Sequence, residues 1–271
     1  MINDYLAQTR PADGFQGEEK GNDRRDTSGV THVVDPLDGT FNFVERQAPD
    51  LIPGGLRYGN TTDYAVALAA REVPGDYLAA AIIKPETGEF AVGTGHRVQT
   101  GAVLDARDPA SDLQHVAAAA MARPQDLTTT TNISRKVTSK AEGLRGSQDC
   151  IDILEGLSTF RAAADTGSSA CNTLNLLTPG RGADALWLRV KGEHDRAPVL
   201  ALVPGAGGAV VPLDHGPYGS VLLGPAGVTQ QLGRQVQARL DQQRRQRPAA
   251  DRTRLRRDHG DRRRDPGGRA L

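Results

Sequence analysis

The sequence predicts a layered α/β (α+β) protein. Turn-separated β-type runs occupy residues 1–110, helical periods alternate with strands over 111–240, and no internal repeat intervenes. The organisation expected is an N-terminal antiparallel-sheet part, a C-terminal α/β part and a tail, 241–271, that leaves the pattern.

Asp4 to Gln8 reads as the last turns of a helix, closed by the turn residues Pro11-Ala12-Asp13-Gly14. A β-type run, Val30-Thr31-His32-Val33-Val34, is expected to stop at Asp35-Pro36. Phe43 to Tyr58 reads as a loop. Tyr64–Ala69 and Tyr77–Ile83 flank Pro74-Gly75-Asp76 and should pair antiparallel. The turn Glu86-Thr87-Gly88-Glu89 leads into Phe90-Ala91-Val92. In the second half, Ser147–Leu157 carries Ile151, Leu154 and Leu157 at helical spacing, and Ala170–Leu177 is a second helix. Ala185-Leu186-Trp187-Leu188 is a short strand. Arg196–Val203 fits a helix, with Pro198 in its first turn, or a strand. Gly205-Ala206-Gly207-Gly208 precedes the strand Ala209-Val210-Val211.

Composition narrows the class. The chain has 271 residues, 38% apolar and only 4% aromatic, with 31 Gly and 16 Pro, which excludes a coiled coil, a disulfide scaffold and a collagen-like rod. Its formal charge of zero hides two unlike parts. From Asp241 on there are eleven Arg, no Lys and five Asp, so the tail carries +6 and the body −6. With almost nothing apolar, the tail is expected to be disordered. Its arginines suit phosphates, but it lacks aromatics and interleaves Asp, so nucleic acid is not the expected partner. Cys150 and Cys171 make no framework, and the sequons at Asn60 and Asn132 are read as chance. Met1 to Arg10 has no basic region followed by an apolar run. Ala197–Leu213 is interrupted by proline and glycine and is shorter than a span. A soluble cytoplasmic protein with no membrane partner is the expectation.

The chemistry concentrates in Val33-Val34-Asp35-Pro36-Leu37-Asp38-Gly39-Thr40-Phe41-Asn42-Phe43. Two carboxylates straddle a proline that fixes φ, and Gly39 lets the backbone approach a ligand. Asp35, the Leu37 carbonyl and Asp38 offer three hard oxygens from one turn, the donor type Mg²⁺ takes in octahedral geometry. Gly17-Glu18-Glu19 adds a carboxylate pair upstream. Asp-Pro and Asp-Gly alone are ordinary turn formers; the specificity lies in the whole segment.

These two segments resemble the inositol monophosphatase family of magnesium-dependent, lithium-sensitive phosphatases. His194-Asp195-Arg196-Ala197 with Gly207-Gly208 is similar to the family's second signature. Gly167-Ser168-Ser169-Ala170 is similar to its substrate loop, and Gly182-Ala183-Asp184-Ala185 to the strand that follows. The resemblance implies an alternating αβαβα sandwich, here lacking the family's first helices because only 16 residues precede Gly17. It implies a first Mg²⁺ held by Glu18, Asp35 and the Leu37 carbonyl, and a second held by Asp35, Asp38 and Asp195. Thr40 with Glu18 would orient the attacking water. The amides of Gly39 and Thr40 would meet the phosphate, and Gly167, Ser168, Ser169 and Asp195 would bind the rest of the substrate. The activity implied is Mg²⁺-dependent hydrolysis of a small polar phosphate ester, of the inositol phosphate or histidinol phosphate type. A bisphosphate nucleotidase, a sugar bisphosphatase or a catalytically impaired homologue are the alternatives. Dimerisation is common in such families, and no residue here specifies a homodimer.

Some residues depart from the family pattern. His32 and His194 stand where tryptophans are expected beside the metal-binding Asp residues, and are read either as metal ligands or as lost packing volume. Leu188 occupies the position of a substrate-binding Glu in inositol-specific members, which weakens inositol as substrate.

Overall fold

The computed structural model describes residues 2–19, 23–47, 62–73, 75–102, 136–141, 152–154, 157, 162–164, 167–178, 185–189, 192–214 and 220–246. Helix α1 (Ile2–Thr9) leads into strand β1 (Gly14–Gly17), which pairs parallel with β2 (Val30–Asp38). Strands β3 (Ala65–Glu72), β4 (Tyr77–Ile83), β5 (Glu89–Thr94) and β6 (Arg97–Ala102) then add antiparallel, giving a six-stranded mixed sheet in the order β1-β2-β3-β4-β5-β6. The second sheet runs β10-β11-β9-β7-β8, built from β7 (Lys136–Ala141), β8 (Ala162–Ala164), β9 (Ala185–Arg189), β10 (Ala209–Leu213) and β11 (Ser220–Gly224). Its β7–β8 and β7–β9 pairs are parallel and the other two antiparallel.

Side-chain alternation assigns the layers. On β2, Val33 joins the core between the sheets, while Val34 turns to Leu6 and Phe15 under α1. On β9, Leu186 and Leu188 face that central core. Ala185 and Trp187 face Leu232, Val236 and Leu240 of a long C-terminal helix, α5 (Ala226–Gln246). The middle layer is α3 (Ser169–Leu177) and α4 (Glu193–Gly205), which bring Cys171, Leu174, Val199, Leu202 and Val203 between the sheets. Helix, sheet, helices, sheet, helix is the αβαβα sandwich that the resemblance implied. The core is lean: Ala65, Ala67 and Ala69 on β3 and Ala80 on β4 are small enough for α4 to lie close to the sheet.

Four expectations are corrected. Strand β2 does not stop at Asp35-Pro36 but continues to Asp38. Asp35 pairs with Ala67 and Asp38 with Ala65, so one extra residue bulges out around exposed Pro36. Phe43 to Gln47 is not loop but the body of helix α2 (Thr40–Gln47), whose entry is held by Asn42. Arg196–Val203 is helical, yet α4 begins three residues earlier, so Pro198 lies beyond the first turn and leaves the His194 carbonyl without its usual i→i−4 amide. The expected tail does not begin at Asp241: α5 runs unbroken to Gln246, with Arg244 bound to Asp214. The remainder of that tail, Cys150, Asn60, Asn132, residues 48–58 of the expected loop, Gly182–Asp184 and most of the Ser147–Leu157 helix lie outside the described residues; Asp152 to Leu154 are helical. No helix among the described residues is long and apolar enough to cross a membrane.

Candidate metal centre

Three elements deliver the acidic residues. Glu18 follows β1, with its amide donating to the Val34 carbonyl at 3.2 Å, so the β1 end is tied to β2 beside Asp35. Asp35 and Asp38 sit on either side of the β2 bulge, both buried, and Asp195 stands in the first turn of α4. Carboxylate oxygens of Asp35, Asp38 and Asp195 lie within 4.8 Å of one another. One oxygen each of Glu18 and Asp35 lies equally close to a ring nitrogen of His194. Glu18, Asp35, Asp38 and Asp195 therefore converge from positions 18 to 195 of the chain.

Asp38 is the most firmly held. Its Oδ2 accepts from the Ala170 amide at 2.6 Å, from Ser169 Oγ at 2.8 Å and from Ser168 Oγ at 3.0 Å. Ser168 is the N-cap of α3 and also accepts from the Cys171 amide at 3.0 Å, so a single helix start both caps itself and grips a carboxylate. Ser169 Oγ reaches Asp195 Oδ1 at 3.4 Å as well. The two serines expected to meet substrate are thus buried against Asp38. Gly167 precedes them at φ +75°, turning the chain into the helix.

Asp35 feels the density of charge in the cluster most strongly. Burial, then the charges of Asp38, Glu18 and Asp195, push its carboxyl up to about 9, although the Leu37 amide donates to it at 3.0 Å. Carboxylates packed this closely repel one another unless a proton or a cation stands between them. The donor set is hard oxygen with one imidazole, and it fits a divalent metal ion.

Thr40 opens α2 next to this cluster, and its Oγ1 donates to the Leu37 carbonyl at 3.0 Å. A carbonyl has two lone pairs, so this bond leaves one for a metal. Gly39 is needed where it stands. Its φ is +93°, and a Cβ there would lie 2.6 Å from the Asp63 carbonyl. The start of α2, next to Gly39 and Thr40, carries the positive end of its helix dipole.

Sequence reasoning missed the supports around this centre. Asn42, almost fully buried, donates to the Asp63 carbonyl at 2.7 Å, and Lys84 Nζ donates to the Asp63 carboxylate at 2.8 Å. On the other side, Glu193 of α4 accepts from the Tyr77 hydroxyl at 2.9 Å and from Arg71 at 3.2 Å, which anchors the helix start bearing Asp195 to the first sheet. The two histidines part company. His32 lies against Asp13, Nε2 to Oδ2 2.8 Å, away from the cluster, while His194 faces Glu18 and Asp195. Leu188, expected to replace a substrate-binding Glu, is fully buried in the central core and presents no polar group.

A five-layer sandwich with acidic residues gathered from β1, the β2 bulge and a helix start, and braced by a second helix start, defines an α/β protein with a carboxylate cluster that could hold metal ions. The chain belongs to the inositol monophosphatase family, whose model matches residues 1–248. A 79-residue stretch is 42% identical to inositol-1-monophosphatase SuhB of Mycobacterium tuberculosis; it spans 27% of this chain and only 27% of that relative. Among solved structures, the extragenic suppressor protein suhB of Bartonella henselae superposes with a TM-score of 0.64 at 19% identity, covering 87% of this chain and 80% of its own. SaIMPase-II, solved with inositol monophosphate bound, gives 0.61 at 21% identity, covering 89% and 82%. At such identities the two structures establish the fold.

Proposed function

We propose that the chain is a Mg²⁺-dependent phosphoric monoester hydrolase acting on a small polar phosphate ester. The observation that carries this is the convergence of Glu18, Asp35, Asp38 and Asp195, with Asp38 oriented by three donors at the start of α3. Divalent ions held by these carboxylates would lower the pKa of a bound water and neutralise charge on the phosphoryl oxygens.

The chain's own groups supply the rest. Asp35 serves both halves of the site, joined by Glu18 and the Leu37 carbonyl on one side and by Asp38 and Asp195 on the other. Glu18 and the Thr40 hydroxyl would orient the attacking water, and Glu18, the most exposed of the acids, is the group suited to take its proton. The amides of Gly39 and Thr40 at the start of α2 bind phosphate oxygens with the helix dipole behind them. The ligand bound in SaIMPase-II supports a small phosphate ester as substrate.

The test is phosphate release from inositol phosphate, histidinol phosphate, fructose bisphosphate and adenosine bisphosphate, with and without Mg²⁺. Metal-dependent release from a monoester is expected. No release from any of the four would remove the proposal.

A further inference from the structure

We infer that His194 is a nitrogen ligand of this centre, so that the Glu18–Asp35–His194 half selects a borderline transition-metal ion such as Zn²⁺ or Mn²⁺, while the all-oxygen Asp35–Asp38–Asp195 half keeps Mg²⁺. The inference rests on the metal-centre reading above and adds a residue and a metal preference to it.

Three observations converge on the ring. His194 Nε2 lies 3.9 Å from Glu18 Oε1, too far for a hydrogen bond but within the span of two donors sharing an ion, and 3.6 Å from Asp195 Oδ2, which belongs to the neighbouring half. Around an octahedral ion with bonds near 2.1 Å, cis donors stand about 3.0 Å apart and trans donors about 4.2 Å. The full Glu18–Asp35–His194 set lies within 4.8 Å, so closing on one ion takes only small side-chain rotations. Second, the ring folds back over the start of α4. A Cβ on Gly192 would sit 2.5 Å from Nε2, 2.6 Å from Cε1 and 3.0 Å from Asp195 Oδ2, so the ring holds this position only because residue 192 is glycine. Third, the ring is mostly buried, its side chain 21% exposed, and stands against the carboxylates of Glu18 and Asp195.

The chemistry then splits the centre. An imidazole replacing one oxygen strengthens binding along the series from Mn²⁺ to Zn²⁺ far more than it helps Mg²⁺, which prefers oxygen and retains its waters. A protonated His194 would be a different device, a fixed cation neutralising Glu18 and Asp195. That device predicts weaker metal binding with the ring than without it.

Wild type, His194→Phe and Gly192→Ala, all as the full chain, are compared by calorimetric titration with Zn²⁺ and with Mg²⁺. Mn²⁺-loaded samples are examined by pulsed electron paramagnetic resonance for the ¹⁴N coupling of a directly bound imidazole. We expect that coupling in wild type alone. Zn²⁺ affinity should fall at least about tenfold in both variants, as loss of even an outer-shell partner costs 10–100-fold, while Mg²⁺ affinity should stay within about twofold. Gly192→Ala keeps the imidazole and displaces it, so it carries the test if His194→Phe does not fold. Mg²⁺ binding without a ¹⁴N coupling, or Zn²⁺ affinity equal in all three, would overturn the role of His194 and leave the metal centre standing. Wild type that binds no metal at all would overturn both.

Discussion

Asp38 can lose its charge without losing its shape. Its Oδ2 faces three donors, and the single amide oxygen of Asn can go on accepting from them. Asp38→Asn should therefore keep the α3 start in place while turning an uncharged NH₂ toward the cations. Activity is expected to fall at least about 100-fold, or ~2.7 kcal/mol of transition-state stabilisation, with the thermal midpoint nearly unchanged. Glu19→Gln, on an exposed neighbour outside the cluster, should be mild, and side-by-side kinetics at saturating Mg²⁺ decide it. Near-wild-type turnover in Asp38→Asn would remove Asp38 from the mechanism. This half of the site was legible because Asp35, Leu37, Asp38, Gly39 and Thr40 lie in one short segment whose chemistry is visible without a fold. The serine clamp was not, since its hydrogen bonds join residues more than 100 positions apart and Ser168 and Ser169 read equally well as substrate contacts. Nor was the difference between His32 and His194, which only the packing of Asp13 and Gly192 decides.

The elements that sequence reasoning misplaced are those where tertiary contacts overrule a local signal. Asp35-Pro36 looks like a strand end, yet β2 absorbs the proline as a bulge because pairing with β3 resumes at Asp38. Helix α5 was overlooked although Leu232, Val236 and Leu240 keep a four-residue spacing, because Gln, Arg, Gly233 and Ala238 fill the positions between and dilute the apolar signal. Two predictions follow from these corrections. Gly39→Ala forces a side chain into φ +93° and against the Asp63 carbonyl, so it should cost about 1–3 kcal/mol, seen as a lower thermal midpoint together with lost activity. An unchanged midpoint would mean the turn relaxes at no cost. For the C-terminus, a chain ending at Gln246 should melt like the full one. A chain ending at Leu240 loses Asp241, bound to Gln237, and Arg244, bound to Asp214, and should melt a few degrees lower. Equal midpoints for both truncations would make the last turn of α5 ornamental.

At the scale of the whole molecule, the sandwich places its charge cluster where the first sheet, α3 and α4 meet, and this links stability to pH and metal. Asp35 has a folded-state pKa near 9 against 3.8 in the unfolded chain, so the metal-free fold binds a proton that the unfolded chain gives up. That contribution is complete below about pH 4 and is lost progressively as pH rises through 9. Asp13 works in the opposite sense. Burial raises its pKa, but hydrogen bonds from Arg10, Ser28 and His32 outweigh this and hold it at about 2, so its contribution is present above 3.8 and lost as pH falls through 2. Without metal, the midpoint should therefore decline steadily from pH 4 toward pH 9. A divalent cation competes with the Asp35 proton and binds best where that proton has gone, so its stabilising effect should grow over the same range. Mg²⁺ at about 100 times its Kd should add roughly 2.7 kcal/mol, or about 5–11 °C for a chain this size. Melting curves with Mg²⁺ and with chelator, taken at intervals from pH 4 to pH 9, should converge at the acid end and separate toward the alkaline end. Two curves that stay parallel, or coincide throughout, would show that the carboxylates at this junction hold neither the proton nor the cation that their burial requires.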